Sequence, residues 1–314
     1  MISNSTPMPS APLTIGQAIA KSAEFLRDKG VDSPRLDAEL LLAHALGCDR
    51  LKLYLQWDRP LNEAEKEQMR DALRRRGGAR EPVARIVGQR EFFGRPFRVG
   101  RDAFVPRPET EWLVERALAL IAEMPDVKIE SSVMNADAEN SGSGAPCVID
   151  IGTGSGCIAI SVALECPRAA VTATEISEET LRVARDNASA LGAGGRVRFL
   201  RGDLFAEAEG PFDLVISNPP YIASEAIAGL MPEVAEHDPR RALDGGAGGL
   251  EVFRRLAADA PPRMKPGARM LLEIGEGQGS EVAEILKSTD AFEDIRVVRD
   301  LAGLERYVEA SRRQ

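Results

Sequence analysis

The 314-residue chain is 44% hydrophobic and 28% charged, with a net charge of −9. That is enough apolar material for one average domain and a smaller one. No run approaches the ~20 apolar residues of a membrane span, so the chain reads as cytoplasmic, with no membrane partner. The acidic balance argues against a general affinity for nucleic acid. Two histidines, and four cysteines with no CxxC pair, argue against a zinc site or a histidine-based triad; no metal is expected, and the cysteines read as reduced, buried thiols.

Residues 1–13 are polar and proline-bearing, without the basic start or apolar stretch of a secretory signal; they read as a flexible tail. Residues 14–80 read as a helical bundle. Thr14 caps a helix carrying Ile15, Ala18, Ile19 and Leu26 and stopped by Gly30. Ser33-Pro34 opens a second, with Leu36, Leu40, Ala43 and a packed or satisfied His44, ended by Gly47. Asn62 and Glu65 form a capping box for a third, running to Gly77-Gly78. Residues 1–100 hold 17 Lys and Arg against 13 Asp and Glu, a net +4 that leaves −13 on the rest. A mildly basic front suits either an acidic partner face or plain solvated helix surface.

Residues 81–104 form a connector, in which Glu91 to Val99 place apolar residues on both sides of a Gly/Pro turn and predict a β-hairpin. From 105 to 314 a single α/β domain is expected. Pro108 starts the helix that contains Trp112 to Ile121, with Glu109 and Glu111 facing the positive end of its dipole. The polar, Gly/Ser-rich stretch 125–146 reads as a flexible loop. Strands follow at Val148–Ile151, Ala170–Thr174, Val197–Leu200, Asp213–Ser217, Met270–Ile274 and Ile295–Val298, with helices near 156–165, 178–191, 248–259 and 279–287. This alternation implies a mostly parallel sheet covered on both faces. A last strand near Arg306–Ala310 follows too closely for a helical crossover and is expected to be antiparallel.

Four constellations suggest chemistry. Gly152-Thr153-Gly154-Ser155-Gly156 follows a buried strand and opens a helix. Glycines let backbone approach a ligand, and the helix N-terminus suits a carboxylate. The third glycine comes one place earlier than in a dinucleotide fingerprint, which suits a methionine-containing nucleoside better than a pyrophosphate. Glu175, at the tip of the next strand, can accept from ribose hydroxyls. Asp203-Leu204, after the third strand, can meet an adenine edge and face, although a capped turn explains that segment almost as well. Asn218-Pro219-Pro220-Tyr221 ends the fourth strand. The Asn218 side-chain oxygen and the Pro219 carbonyl can converge as two acceptors on one planar NH2 group, with Tyr221 as a flat face for it. An amide nitrogen is a poor nucleophile, so orientation and electrostatics must supply the catalysis.

Together these residues resemble the class I S-adenosylmethionine-dependent methyltransferases with an N-P-P-Y motif. Over nearly the whole chain the sequence is similar to the release factor glutamine methyltransferases, the HemK/PrmC family. The resemblance rests also on Ser33 to His44, Gly88 to Gly94, Arg107-Pro108-Glu109-Thr110-Glu111, Leu243-Asp244-Gly245-Gly246, Glu273-Ile274-Gly275 with Gln278-Gly279, and Asp300 to Gly303. It implies a Rossmann-like methyltransferase sheet behind a small helical domain. It implies S-adenosylmethionine as cofactor, held by Gly152, Thr153, Gly154, Ser155, Gly156, Glu175, Asp203, Leu204 and Asn218. It implies release factors as substrate, with the glutamine amide of their Gly-Gly-Gln loop held by Asn218, Pro219, Pro220 and Tyr221, of which Asn218, Pro219 and Tyr221 serve catalysis. Glu175 stands where the family commonly has Asp, Leu204 where some members have an aromatic residue, and 125–146 resembles an insertion. The helical domain is expected to recognise the protein substrate and the enzyme to be a monomer. The alternatives are glutamine methylation of a large-subunit ribosomal protein and, further off, adenine-N6 methylation of nucleic acid, which would want a basic groove and a target-recognition domain.

Overall fold

The computed structural model describes residues 12–124, 144–300 and 302–314. Most of the expected 1–13 tail and of the 125–146 loop lies outside these. The chain divides into two compact units, 1–88 and 89–314, so the hairpin of the expected 81–104 connector groups with the larger unit.

The first unit contains α1 (Ile15–Asp28), α2 (Pro34–Ala45), α3 (Arg50–Leu55), α4 (Glu63–Leu73) and α5 (Val83–Val87), with a π-helical turn at Arg74–Gly78. Thr14 with Gln17 and Asn62 with Glu65 both close reciprocal capping boxes, each satisfying two otherwise orphaned N–H groups. Ile15, Ile19, Leu41, Leu42, Leu53 and Met69 fill its core. Leu36 is 42% exposed, in contrast to the expected packing, because Ala38, Leu41 and Leu42 form the inward face of α2, and His44 is exposed as well. A buried Glu39 carboxylate accepts from Arg50 at 2.6 Å, the Tyr54 hydroxyl at 2.6 Å and Arg35 at 3.1 Å. These partners hold Glu39 below the usual carboxylate range against the opposing effect of burial.

The second unit opens with the hairpin β1 (Gln89–Phe92) and β2 (Arg95–Arg98), followed by α6 (Glu111–Glu123). A 3-10 turn at Pro108–Thr110 precedes α6. Glu111 accepts from the Phe93 N–H at 2.9 Å, so that carboxylate anchors the hairpin turn as well as starting the helix. The sheet comprises β3 (Cys147–Ile151), β4 (Ala170–Glu175), β5 (Val197–Arg201), β6 (Phe212–Ser217), β7 (Met264–Glu273), β8 (Phe292–Arg299) and β9 (Glu305–Arg312), in the order β5-β4-β3-β6-β7-β9-β8. Five neighbouring strands are parallel, while β9 inserts antiparallel to both β7 and β8. The intervening helices are α7 (Cys157–Glu165), α8 (Glu178–Ala190), a short α9 (Pro232–Ala235), α10 (Glu251–Asp259) and α11 (Gly279–Lys287).

Apolar clusters cover both faces of the sheet. One joins Leu113, Val148, Ile158, Val171 and Leu214, the other Ile149, Val215, Phe253, Met270 and Val282. Alternate residues of one strand thus enter opposite cores, as the period of two requires. Of the four cysteines only Cys157 is fully buried; the other three are half-buried and none is bonded to another. No helix among the described residues is long and apolar enough to cross a membrane.

Candidate active site

The site follows from strand order. The chain leaves β3 toward one side of the sheet and β6 toward the other, and ligands bind in crevices at the carboxyl ends of strands where order reverses in this way. Ile151 and Ser217 are register partners in the parallel β3–β6 pair, so the glycine turn and the Asn218 turn begin one residue later on adjacent strands. The Ser217 hydroxyl donates to the Ile151 carbonyl at 2.8 Å and ties the two exits together.

The glycine turn is held mainly by backbone bonds and buried acids. Gly152 and Thr153 N–H both donate to the Thr174 carbonyl at 2.9 Å. Gly154 has φ +57° and Gly156 +83°, in the left-handed region that favours glycine. Beneath the turn, Asp150 is 1% exposed; it accepts from Thr153 Oγ1 at 2.6 Å and from the Ala159 N–H at 3.2 Å. Burial pushes its carboxyl up to about 7, with Glu175 adding to the effect and the two hydrogen bonds opposing it. Glu175 is 8% exposed and accepts from the Gly154 N–H at 3.1 Å and the Ser177 N–H at 3.0 Å. Each of its oxygens keeps lone-pair capacity for a further donor. Asn187 of α8 donates to the Ser155 carbonyl at 2.9 Å while bonding both backbone groups of Arg98, which fixes the hairpin exit against the turn.

The Asn218 turn is buttressed from three directions. Asn218 Nδ2 donates to the buried Thr110 Oγ1 at 3.1 Å. Gln278 donates to the Tyr221 carbonyl and accepts from the Gly275 N–H, both at 2.9 Å. Ile222 forms a parallel bridge to Asp244, which brings Leu243 to Gly246 alongside. That approach leaves no room for side chains: a Cβ on Gly245 would lie 2.7 Å from the Pro220 carbonyl oxygen, and one on Gly249 2.1 Å from that of Tyr221. Burial pushes the Tyr221 phenol up to about 12, with Glu273 contributing, so it stays protonated at neutral pH.

These elements enclose a cavity of about 630 Å³. Of the residues expected at the site, Gly152, Thr153, Gly154, Ser155, Glu175, Asp203, Leu204, Asn218, Pro220 and Tyr221 line it. Gly156 and Pro219 do not. A Cβ on Gly156 would meet Ile160 Cδ1 at 2.7 Å and Ala184 Cβ at 3.2 Å, so that glycine lets α7 and α8 pack closely. Pro219 is buried between two residues that do line it, Asn218 and Pro220. Asp203 is paired with Arg255 at 2.6 Å, and Leu204 holds φ +51°, a conformation uncommon for a side chain of its size. Sequence reading gave no role to Thr110, Asp150, Asn187, Glu273 or Gln278. Thr110, Glu273 and Gln278 stand in stretches that carry the family resemblance, and Asp150 is an acid within the apolar strand Val148-Ile149-Asp150-Ile151; Asn187 carried no signal.

Residues 17–88 match the PrmC N-terminal domain model and residues 134–247 that of the methyltransferase small domain. The release factor glutamine methyltransferase of Bradyrhizobium diazoefficiens is 40% identical over 309 residues, covering 97% of this chain and 98% of that relative. Its counterpart from Rhodopirellula baltica is 38% identical over 300 residues, covering 95% and 96%; that from Burkholderia pseudomallei is 41% identical over 297 residues, covering 91% and 94%. Among solved structures, the hMettl16 catalytic domain in complex with MAT2A 3'UTR hairpin 6 shares the fold, with a TM-score of 0.54 at 15% identity, covering 72% of this chain and 80% of that one. With about two residues in five identical along nearly the full length of both chains, this chain belongs to the release factor glutamine methyltransferase family.

Proposed function

We propose that the chain transfers a methyl group from S-adenosylmethionine to the side-chain amide nitrogen of the glutamine in the Gly-Gly-Gln loop of peptide chain release factors. The observation that carries this reading is that the glycine turn and the Asn218 turn leave neighbouring strand tips and that both, the latter through Asn218, Pro220 and Tyr221, line one cavity.

The cavity suits the cofactor. Its glycine turn opens α7, Glu175 lines it beside that turn, and its apolar wall includes Ile176, Leu204 and Val252. The turn would receive the amino-acid end, Glu175 the ribose hydroxyls, and Leu204 with Asp203 the base. Bound there, S-adenosylmethionine supplies an electrophilic methyl group that needs no activation.

The remaining work falls to the chain's own residues. Thr110 occupies Asn218 Nδ2, which leaves Oδ1 as the group presented to the substrate. Oδ1 and the Pro219 carbonyl accept the two amide hydrogens and hold the nitrogen in line. As the nitrogen gains positive charge the same two dipoles, already oriented, stabilise it, and one of its two protons is then lost to solvent to leave the neutral N-methyl amide. Tyr221, neutral and fixed through its carbonyl by Gln278, offers a flat face to the amide plane. The helical unit is the element we assign to recognition of the release factor, a partner met in the cytosol.

Labelled S-adenosylmethionine incubated with the enzyme and intact release factors, followed by mapping of the modified residue by mass spectrometry, tests the reading. Label on the Gly-Gly-Gln glutamine is the expected result. Label confined to a large-subunit ribosomal protein, or to adenine in nucleic acid, overturns it.

A further inference from the structure

Glu273 ends β7, one residue beyond the register pair Ser217–Leu272, and so neighbours Asn218 across the parallel ladder. It is 6% exposed, and its Oε2 is buried with no hydrogen-bond partner among the described residues. An unpartnered buried carboxylate oxygen is costly, and nothing in the mechanism above uses it. Glu273 does not line the cavity. Thr110 and Asn218 lie beside its carboxyl, and Thr110 Oγ1 already accepts from Asn218 Nδ2. A hydroxyl has one proton to give. With its oxygen engaged by Asn218, Thr110 has its proton free for the carboxylate alongside.

We propose that Glu273 and Thr110 are positioning residues that set the polarity of the Asn218 amide. The Glu273 carboxylate draws the Thr110 proton, Thr110 Oγ1 then accepts from Asn218 Nδ2, and Oδ1 is left facing the target amide. This rests on the reading of Asn218 as an acceptor for the substrate NH2. A protonated Glu273 reverses the relay: it donates to Thr110, Thr110 donates toward Asn218, and Asn218 turns its own NH2 to the substrate. Two donors then face each other and the nitrogen is no longer held.

The surroundings make this reversal accessible near neutral pH. Burial pushes Glu273 up to about 7, and Glu109 adds to the effect. Arg306 of β9, itself 2.6 Å from Asp300, opposes it, as do Thr110 and Asn218. Arg107 and Glu109 face the same group of residues through Tyr221. The Tyr221 phenol and the Cys157 thiol of α7, each pushed up to about 12, stay neutral and do not compete. The productive polarity therefore forms as pH rises through about 7.

The test is single-turnover methyl transfer to intact release factor at saturating cofactor, from about pH 5.5 to 9, with cofactor affinity measured by calorimetry. Thr110→Val removes the hydroxyl at nearly constant volume. It is expected to slow transfer by about 10- to 100-fold with cofactor affinity unchanged, and Thr110→Ser is expected to restore most of the rate. Glu273→Gln cannot release a proton, so the wild-type rise in rate near neutrality should disappear. Thr110→Val at the wild-type rate, or a Glu273→Gln variant that keeps the rise, overturns the proposal. If Glu273→Gln does not fold, the Val and Ser variants at Thr110 decide the matter. Asn218→Ala run in parallel separates the two readings: if it is slow while Thr110→Val and Glu273→Gln behave as wild type, only the positioning role fails. If Asn218→Ala is itself unimpaired, the acceptor reading beneath it fails.

Discussion

Replacing Glu175 by glutamine probes fold and cofactor site at once. The carboxylate holds two backbone N–H groups, at 3.1 and 3.0 Å, one on each oxygen. It is nearly buried, so solvent screens these bonds little. Hydrogen bonds to a charged acceptor contribute about 1.5–3 kcal/mol each. Glutamine keeps one acceptor oxygen, and its NH2 must face either Gly154 N–H or Ser177 N–H, donor against donor. One turn bond is lost, and with it one acceptor for the ribose. The expected result is an S-adenosylhomocysteine dissociation constant about 10- to 100-fold weaker, equivalent to about 1.4–2.8 kcal/mol, and a melting temperature lower by a few degrees. Glu175→Ala, which loses both oxygens, should be worse on both counts. Isothermal calorimetry and calorimetric melts read the two effects separately. Wild-type affinity in both variants would refute the assignment of Glu175 to the ribose and the account of the glycine turn built on it.

Asn218→Ala should slow single-turnover transfer by ~10²–10³ while leaving cofactor affinity within a few-fold, read by calorimetry on the same sample. Gly156→Ala places a Cβ 2.7 Å from Ile160 at φ +83°; left-handed backbone alone costs about 1–2 kcal/mol, so denaturant titration should show a clear loss of stability. Asp150 titrates at about 7 in the fold and near 4 when unfolded. Between those values the folded chain holds a proton that the unfolded chain has released, so this group's contribution makes stability fall as pH rises. Asp150→Asn should flatten that part of the profile, as measured by urea unfolding at several pH values. A chain beginning at Gln89 retains both clusters that cover the sheet. It is expected to bind S-adenosylhomocysteine normally and to lose most activity on intact release factor, and equal rates for truncated and full-length enzyme would contradict that division.

Periodicity and punctuation determined much of this protein. The caps at Thr14 and Asn62, the left-handed glycines and the alternation from Cys147 onward are local signals. Ends fixed by caps and faces fixed by side-chain period do not depend on distant partners. The antiparallel β9 was legible too, because five residues between Arg299 and Glu305 cannot form a crossover. The glycine turn, Glu175 and the Asn218 turn could be read because each needs particular residue types in consecutive positions. Tertiary structure alone decided which side chains stand behind them. Thr110 lies 108 residues from Asn218 and Gln278 57 from Tyr221, and no local pattern encodes such pairings. It also decided that Gly156 packs two helices, that Leu36 faces solvent, and that Glu273 is buried with a bare oxygen. Whether a polar residue stands at a surface or against the reacting group depends on what the fold brings next to it, and that is set by strand order and packing rather than by neighbours in sequence.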